Sequence, residues 1–132
     1  MSGERDLETL LASMDPVLMD GIYVFATCAP KDVPPGLTPK MMFQEAEGTT
    51  LILPEEVATA HGLVYEFPSR MITLNVHSSL DAVGFLARIT TALAKHKMGV
   101  NPVSAFFHDH IFVPLGREDE AMTVLRGFAR LP

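Results

Sequence analysis

Apolar positions recur at Leu7, Leu10, Leu11 and Met14, the three-and-four spacing of one helical face, and the stripe stops before Asp15-Pro16. This predicts a short amphipathic helix over residues 6–14. Residues 22–28 (IYVFATC) are rich in β-branched and aromatic side chains and predict a strand. Pro30, Pro34, Pro35, Gly36 and Pro39 then crowd a stretch that neither helix nor central strand tolerates, so it is a loop. Residues 41–46 and 49–53 flank Glu47-Gly48 and predict a hairpin in which the glycine supplies a positive φ. Pro54 opens a short helix over 55–60 at the first helical position, where its missing donor costs nothing, and 64–67 return as a strand.

Pro68-Ser69 is the expected boundary between two halves, residues 1–68 and 69–132. Residues 70–76 (RMITLNV) alternate in the period-2 pattern of a half-buried strand. The longest predicted helix is 80–97, with Ala82, Leu86, Ile89 and Leu93 at helical spacing, Lys95, His96 and Lys97 in its last turn, and Gly99 as the residue that ends it. A second hairpin is predicted from 100–107 and 111–114 around His108-Asp109-His110, and a helix over 117–129 closes the chain. The halves echo each other. Leu51-Ile52-Leu53-Pro54 and Ile111-Phe112-Val113-Pro114 both end a hairpin strand in proline ahead of an acidic helix start. The first copy has the proline-rich loop where the second has its long helix, and the second lacks a visible closing strand. Such an open edge invites self-association, unless a strand from the first half fills it.

A 132-residue chain with 48% hydrophobic content has material for a core, and two half-size modules gain by sharing one. The net charge of −6 and pI near 5.2 exclude nucleic-acid and anionic-membrane partners. Cys28, the only cysteine, leaves no intrachain disulfide and no cysteine-rich zinc site. The charged residues Glu4, Arg5, Asp6 and Glu8 do not suit a secretory leader, and no apolar run has the length of a membrane helix, so a cytoplasmic protein is expected.

Candidate chemistry gathers at residues 77–84. Ser78 and Asp81 have the spacing of a capping box, and Gly84 within the first turns of the predicted helix points to a close approach of ligand or chain. His108 and His110, at i and i+2, are metal-ligand types, but two histidines fall short of the three or four protein ligands of a stable site, so no metal or other cofactor is expected. His77 beside Ser78 and Ser79 lacks a nucleophile-elbow pattern, and no glycine-rich phosphate loop or dinucleotide fingerprint occurs. The chain is not expected to be an enzyme.

The run ITLNVHSSLDAVGFLARITTALAKHKMGVNPVSAFFHDHIFVP, with its Asp81-x-x-Gly84 turn and Met98-Gly99-Val100-Asn101 approach to the next strand, resembles an ACT domain. Within that family it is similar to bacterial stand-alone tandem ACT proteins, which are related to the ACT modules of the eukaryotic cytosolic arginine sensor and of aspartate kinases. The first half resembles a degenerate partner module without its first helix. The resemblance implies an α+β, ferredoxin-like βαββαβ fold in two tandem modules, with antiparallel sheets and helices on one face. It also implies an amino acid or related effector as partner, and a homodimer or higher homo-oligomer. Ser78, Ser79, Leu80, Asp81, Ala82, Val83 and Gly84 would line the effector site, with Asn101 facing them from an adjacent strand. The alternative is a structural or oligomerisation protein that keeps the fold without the ligand.

Overall fold

The computed structural model describes residues 6–130. Four helices, α1 (Leu7–Ser13), α2 (Glu55–Ala60), α3 (Phe85–Ala94) and α4 (Glu118–Arg126), accompany seven strands. The strands are β1 (Asp15–Leu18), β2 (Tyr23–Cys28), β3 (Met41–Gln44), β4 (Thr49–Pro54), β5 (Val64–Asn75), β6 (Asn101–Ser104) and β7 (Asp109–Pro114). Contacts divide the chain into two units: unit 1 takes residues up to Asp20 together with those from Arg70 onward, and unit 2 is Gly21–Ser69.

In unit 1 the strand order is β1-β5-β7-β6, with β5 represented by its second half. The sheet is closed by β1, which runs antiparallel to β5 with Asp15 opposite Asn75 and Leu18 opposite Ile72. Residues 15–18 carry no strand signal beyond Val17-Leu18, and Pro16 argues against one; pairing with a single neighbour, β5, leaves this edge free of the amide that proline lacks. The gap expected in the second half is thus filled from the N-terminal segment. Asp6 caps α1 by accepting the Thr9 amide at 3.0 Å and the Thr9 hydroxyl at 2.7 Å. Leu10, Leu11 and Met14 then join Phe85, Ile89 and Leu93 of α3 and Ala121, Met122 and Leu125 of α4 over Ile72, Leu74, Ile111 and Val113. Because these sheet residues alternate along their strands, the three helices cover one face. Arg70 fastens the start of this half of β5, donating to Glu118 at 3.2 Å and to the Met19 carbonyl at 3.1 Å.

Unit 2 repeats the order as β3-β4-β2-β5, now with the first half of β5. Its core is smaller: Val24, Ala26, Leu51, Leu53 and Ala58, flanked by Val33, Leu37, Val57 and Tyr65. Where unit 1 has α3, unit 2 has the proline-rich segment, with one 3-10 turn at Pro30–Asp32. The β3–β4 and β6–β7 hairpins match residue for residue. Met41 and Asn101, Thr49 and Asp109, and Pro54 and Pro114 are each 60 positions apart, and β4 and β7 share one pattern of buried and half-buried positions.

Several expectations are corrected. Residues 64–75 form one strand through Pro68, because an irregularity opposite Tyr23–Phe25, with Phe67 at φ 61°, absorbs the proline. Gly48 has no positive φ; a Cβ there would stand 3.1 Å from the Cys28 carbonyl oxygen, so close approach explains the glycine. The long helix spans Phe85–Ala94 instead of 80–97, and the left-handed residue after it is Lys97 at φ 56°, not Gly99. The second hairpin turns at residues 105–108, so Asp109 and His110 lie within β7.

Candidate functional site

The loop between β5 and α3, residues 76–84, meets the β6–β7 turn at one end of unit 1. Ser78 donates its hydroxyl to Asp109 at 3.1 Å, and both are buried. His108 Nδ1 donates to the Val76 carbonyl at 3.4 Å, and Thr73 shares a 3.0 Å hydrogen bond with His110 Nδ1. The His77 ring lies 5.6 Å from Phe107 and 6.5 Å from Phe106, centroid to centroid, and its Nε2 is buried without a hydrogen-bond partner.

Ser78 and Asp81 do not form a capping box. Gly84 is the N-cap of α3, in the left-handed conformation at φ 88°, and no side chain caps the helix. The left-handed glycine turns the chain sharply into α3 six residues later than the serine spacing suggests. Ser79, also buried, instead donates its hydroxyl to the exposed Asp81 carboxylate. Leu80 and Val83 are 68% and 84% exposed, with the half-buried Ala82 between Asp81 and Val83. The free amides of α3 are therefore those of its own first turn, starting at Phe85, and not those of Leu80 to Val83.

Ser78, Ser79, Leu80, Asp81, Ala82, Val83 and Gly84 are brought together as one loop; Asn101 is not brought to them. The sheet order sets β7 between β5 and β6, so Asn101 does not face the loop from an adjacent strand. It opens β6 opposite Phe112, whereas Ser104, three residues or about 10 Å further along, is the residue paired with Asp109. Sequence reasoning passed over Asp109 as a site-side residue and took it for part of a turn. The usable signal was the 60-residue offset, which sets it opposite Thr49 of β4, the first residue of a strand.

Gly84 also ends a depression of about 390 Å³ that follows α3 through Ala87, Arg88, Thr91 and Lys95, with Leu7 and Phe128 on its sides. Among the described residues no group of three or more His, Cys, Asp or Glu side chains is placed to hold a metal ion.

ACT domain models match residues 2–70 and 66–127, together spanning most of the sequence. The chain belongs to the ACT domain family. A crystal structure of a Vibrio cholerae protein of unknown function, described as a possible transport protein, is 42% identical, with a TM-score of 0.84 over 93% of this chain and 95% of that one. An Agrobacterium tumefaciens protein is 14% identical with a TM-score of 0.68, covering 88% of this chain and 89% of that one. The regulatory subunit of aspartate kinase from Thermus flavus is 10% identical with a TM-score of 0.62, covering 86% and 95%. These last two likenesses establish the shared tandem ACT fold. No curated protein matches the sequence. No helix among the described residues of this ACT protein is long and apolar enough to cross a membrane.

Proposed function

We propose that this tandem ACT protein is a non-catalytic regulatory module that binds an α-amino acid at the loop of residues 78–84, and that it works in the cytoplasm. The two ACT matches and the fold shared with an aspartate kinase regulatory subunit support a regulatory, ligand-binding role in general. The observation that carries the finer reading is the start of α3: a ten-residue helix with no side-chain cap, entered through a left-handed glycine. Its first amides suit a carboxylate. Asp81, held by the Ser79 hydroxyl two residues away, suits an ammonium group, so both ends of a zwitterion find a partner. Asn101 has no part in this reading.

Calorimetry of the full chain against the twenty amino acids tests it. One should bind, and Asp81→Asn should weaken it by roughly ten- to a hundredfold, the loss of about 1.5–3 kcal/mol expected for a hydrogen bond to a charged group. An affinity unchanged by the substitution moves the site elsewhere. Absence of any binding at millimolar concentration leaves the structural reading, for which the edge strand β3, with Met42 and Phe43 48% and 62% exposed, supplies a surface for a second copy.

A further inference from the structure

The two matched hairpins provide an internal control on the end of unit 1. The β3–β4 turn is Glu45-Ala46-Glu47-Gly48 and the β6–β7 turn is Ala105-Phe106-Phe107-His108, closed by the same backbone bond, Glu45 to Gly48 and Ala105 to His108. One turn geometry is thus built from polar and small residues in unit 2, so the fold does not require phenylalanine at 106 or 107. Yet both are about 60% exposed, packed edge to face at 4.9 Å on each other and against His77. Leu80 and Val83, in the loop that follows His77, are more exposed still. Exposing these side chains and burying an unpartnered His77 Nε2 both oppose stability, and both occur at the same end of the unit. Charge narrows what this end receives. Residues 77–84 and 105–110 contain Asp81 and Asp109 but no lysine or arginine.

We infer that the effector is an amino acid with a large uncharged apolar side chain, which seats on Phe106, Phe107 and the His77 ring while its zwitterion is held at the loop. The inference rests on the amino-acid reading of that loop and adds the side-chain class. An acidic side chain would meet the carboxylates of Asp81 and Asp109 in two stretches that carry no lysine or arginine. A small one would leave the phenylalanines in water.

The test is calorimetry of the full chain with L-phenylalanine, L-leucine, glycine, L-glutamate and L-arginine, repeated on Phe106→Ala/Phe107→Gln, which restores a tip like that of the other hairpin. Phenylalanine or leucine should bind at least about tenfold more tightly than glycine, and the double variant should weaken them by about ten- to a hundredfold while leaving glycine within a few-fold. Tighter binding of glutamate or arginine, or equal weakening of every amino acid, overturns the inference and leaves the loop reading standing. Failure of all five to bind, with another small, polar or charged amino acid binding in an Asp81-dependent way, also overturns it alone; failure of all twenty overturns the loop reading and this inference together. Light scattering on the same variant supplies a further overturning outcome: loss of a dimer would make the tip a contact between copies.

Discussion

Units 1 and 2 share a sheet order, a hairpin register and a proline at the end of the third strand, yet they are finished differently. Unit 1 places three helices over its sheet, and its loop before α3 is free to carry chemistry. Unit 2 replaces that helix with a proline-rich segment resting on Val24, Leu51 and Leu53 through Val33 and Leu37. The difference teaches that the ACT sheet tolerates loss of its first helix provided some apolar chain still covers it. With the helix go its uncapped amides, so the candidate effector site exists in only one of two near-identical frames.

The strongest way to break this comparison is to remove the first 20 residues. Unit 1 would lose β1 and the core side chains Leu10, Leu11 and Met14, while unit 2 loses none of its own. Truncating even one such buried leucine costs about 2–5 kcal/mol, against roughly 5–15 kcal/mol for a whole domain. Amide exchange should show protection lost throughout residues 70–126 and kept in β2 and β4; retained protection in β7 would show that the closing strand is dispensable.

A finer comparison uses positions 51 and 111, both fully buried at matched places. Leu51→Ala and Ile111→Ala should each cost about 2–5 kcal/mol in urea denaturation, with Leu51→Ala at the lower end because the segment above it has a single 3-10 turn, and no α-helix, to disturb as it settles into the cavity. The reverse order would mean that the proline-rich cover is the stiffer of the two.

The smallest expected effect is acid sensitivity in unit 1. Its own backbone amide holds the Glu118 carboxyl below its ordinary value, aided by the Gly116 amide and Arg70, and the Thr9 hydroxyl and amide do the same for Asp6. A depressed folded value means the stabilisation is complete above the ordinary value, 4.5 for glutamate, and is lost as pH falls through the folded one. Exchange protection in α4 should therefore decline below about pH 4.5, and Glu118→Gln should flatten that decline.

Much of this architecture was legible in sequence because periodicity reports burial. The alternation over residues 70–76 survives in β5, and of the stripe Ala82, Leu86, Ile89 and Leu93 the last two survive as buried positions of α3, where Phe85 joins them while Leu86 is half-buried and Ala82 lies in the loop before the helix. The duplicated proline-ended strands revealed the repeat. What escaped has physical causes. A four-residue edge strand containing Pro16 carries too little pattern to announce itself, and its pairing with β5 joins residues nearly 60 positions apart. Gly84 looked like an interruption inside a helix because sequence does not display φ, whereas a left-handed N-cap makes it the start. Asn101 falls beside the loop only if consecutive strands are neighbours, and the observed order sets β7 between β5 and β6. Phe106 and Phe107 read as strand in the sequence, whereas the pairing of Ser104 with Asp109 leaves residues 105–108 to make the turn.

The strand Asp15–Leu18 also bears on the order of assembly. During synthesis it leaves the ribosome well before residues 72–75, its partners, and Gly21–Ser69 must emerge in between. Nothing in the nascent chain can pair with it in the native way until then. The intervening segment contains all of unit 2's strands, β2, β3, β4 and the first half of β5, so it can condense first and shorten the loop whose closure the late pairing requires. Met19 bonded to Met71 and to Arg70 marks where that loop is stitched shut. At high concentration the waiting strand has another option, to complete the sheet of a neighbouring chain, and refolding yields should then fall with concentration through exchanged dimers.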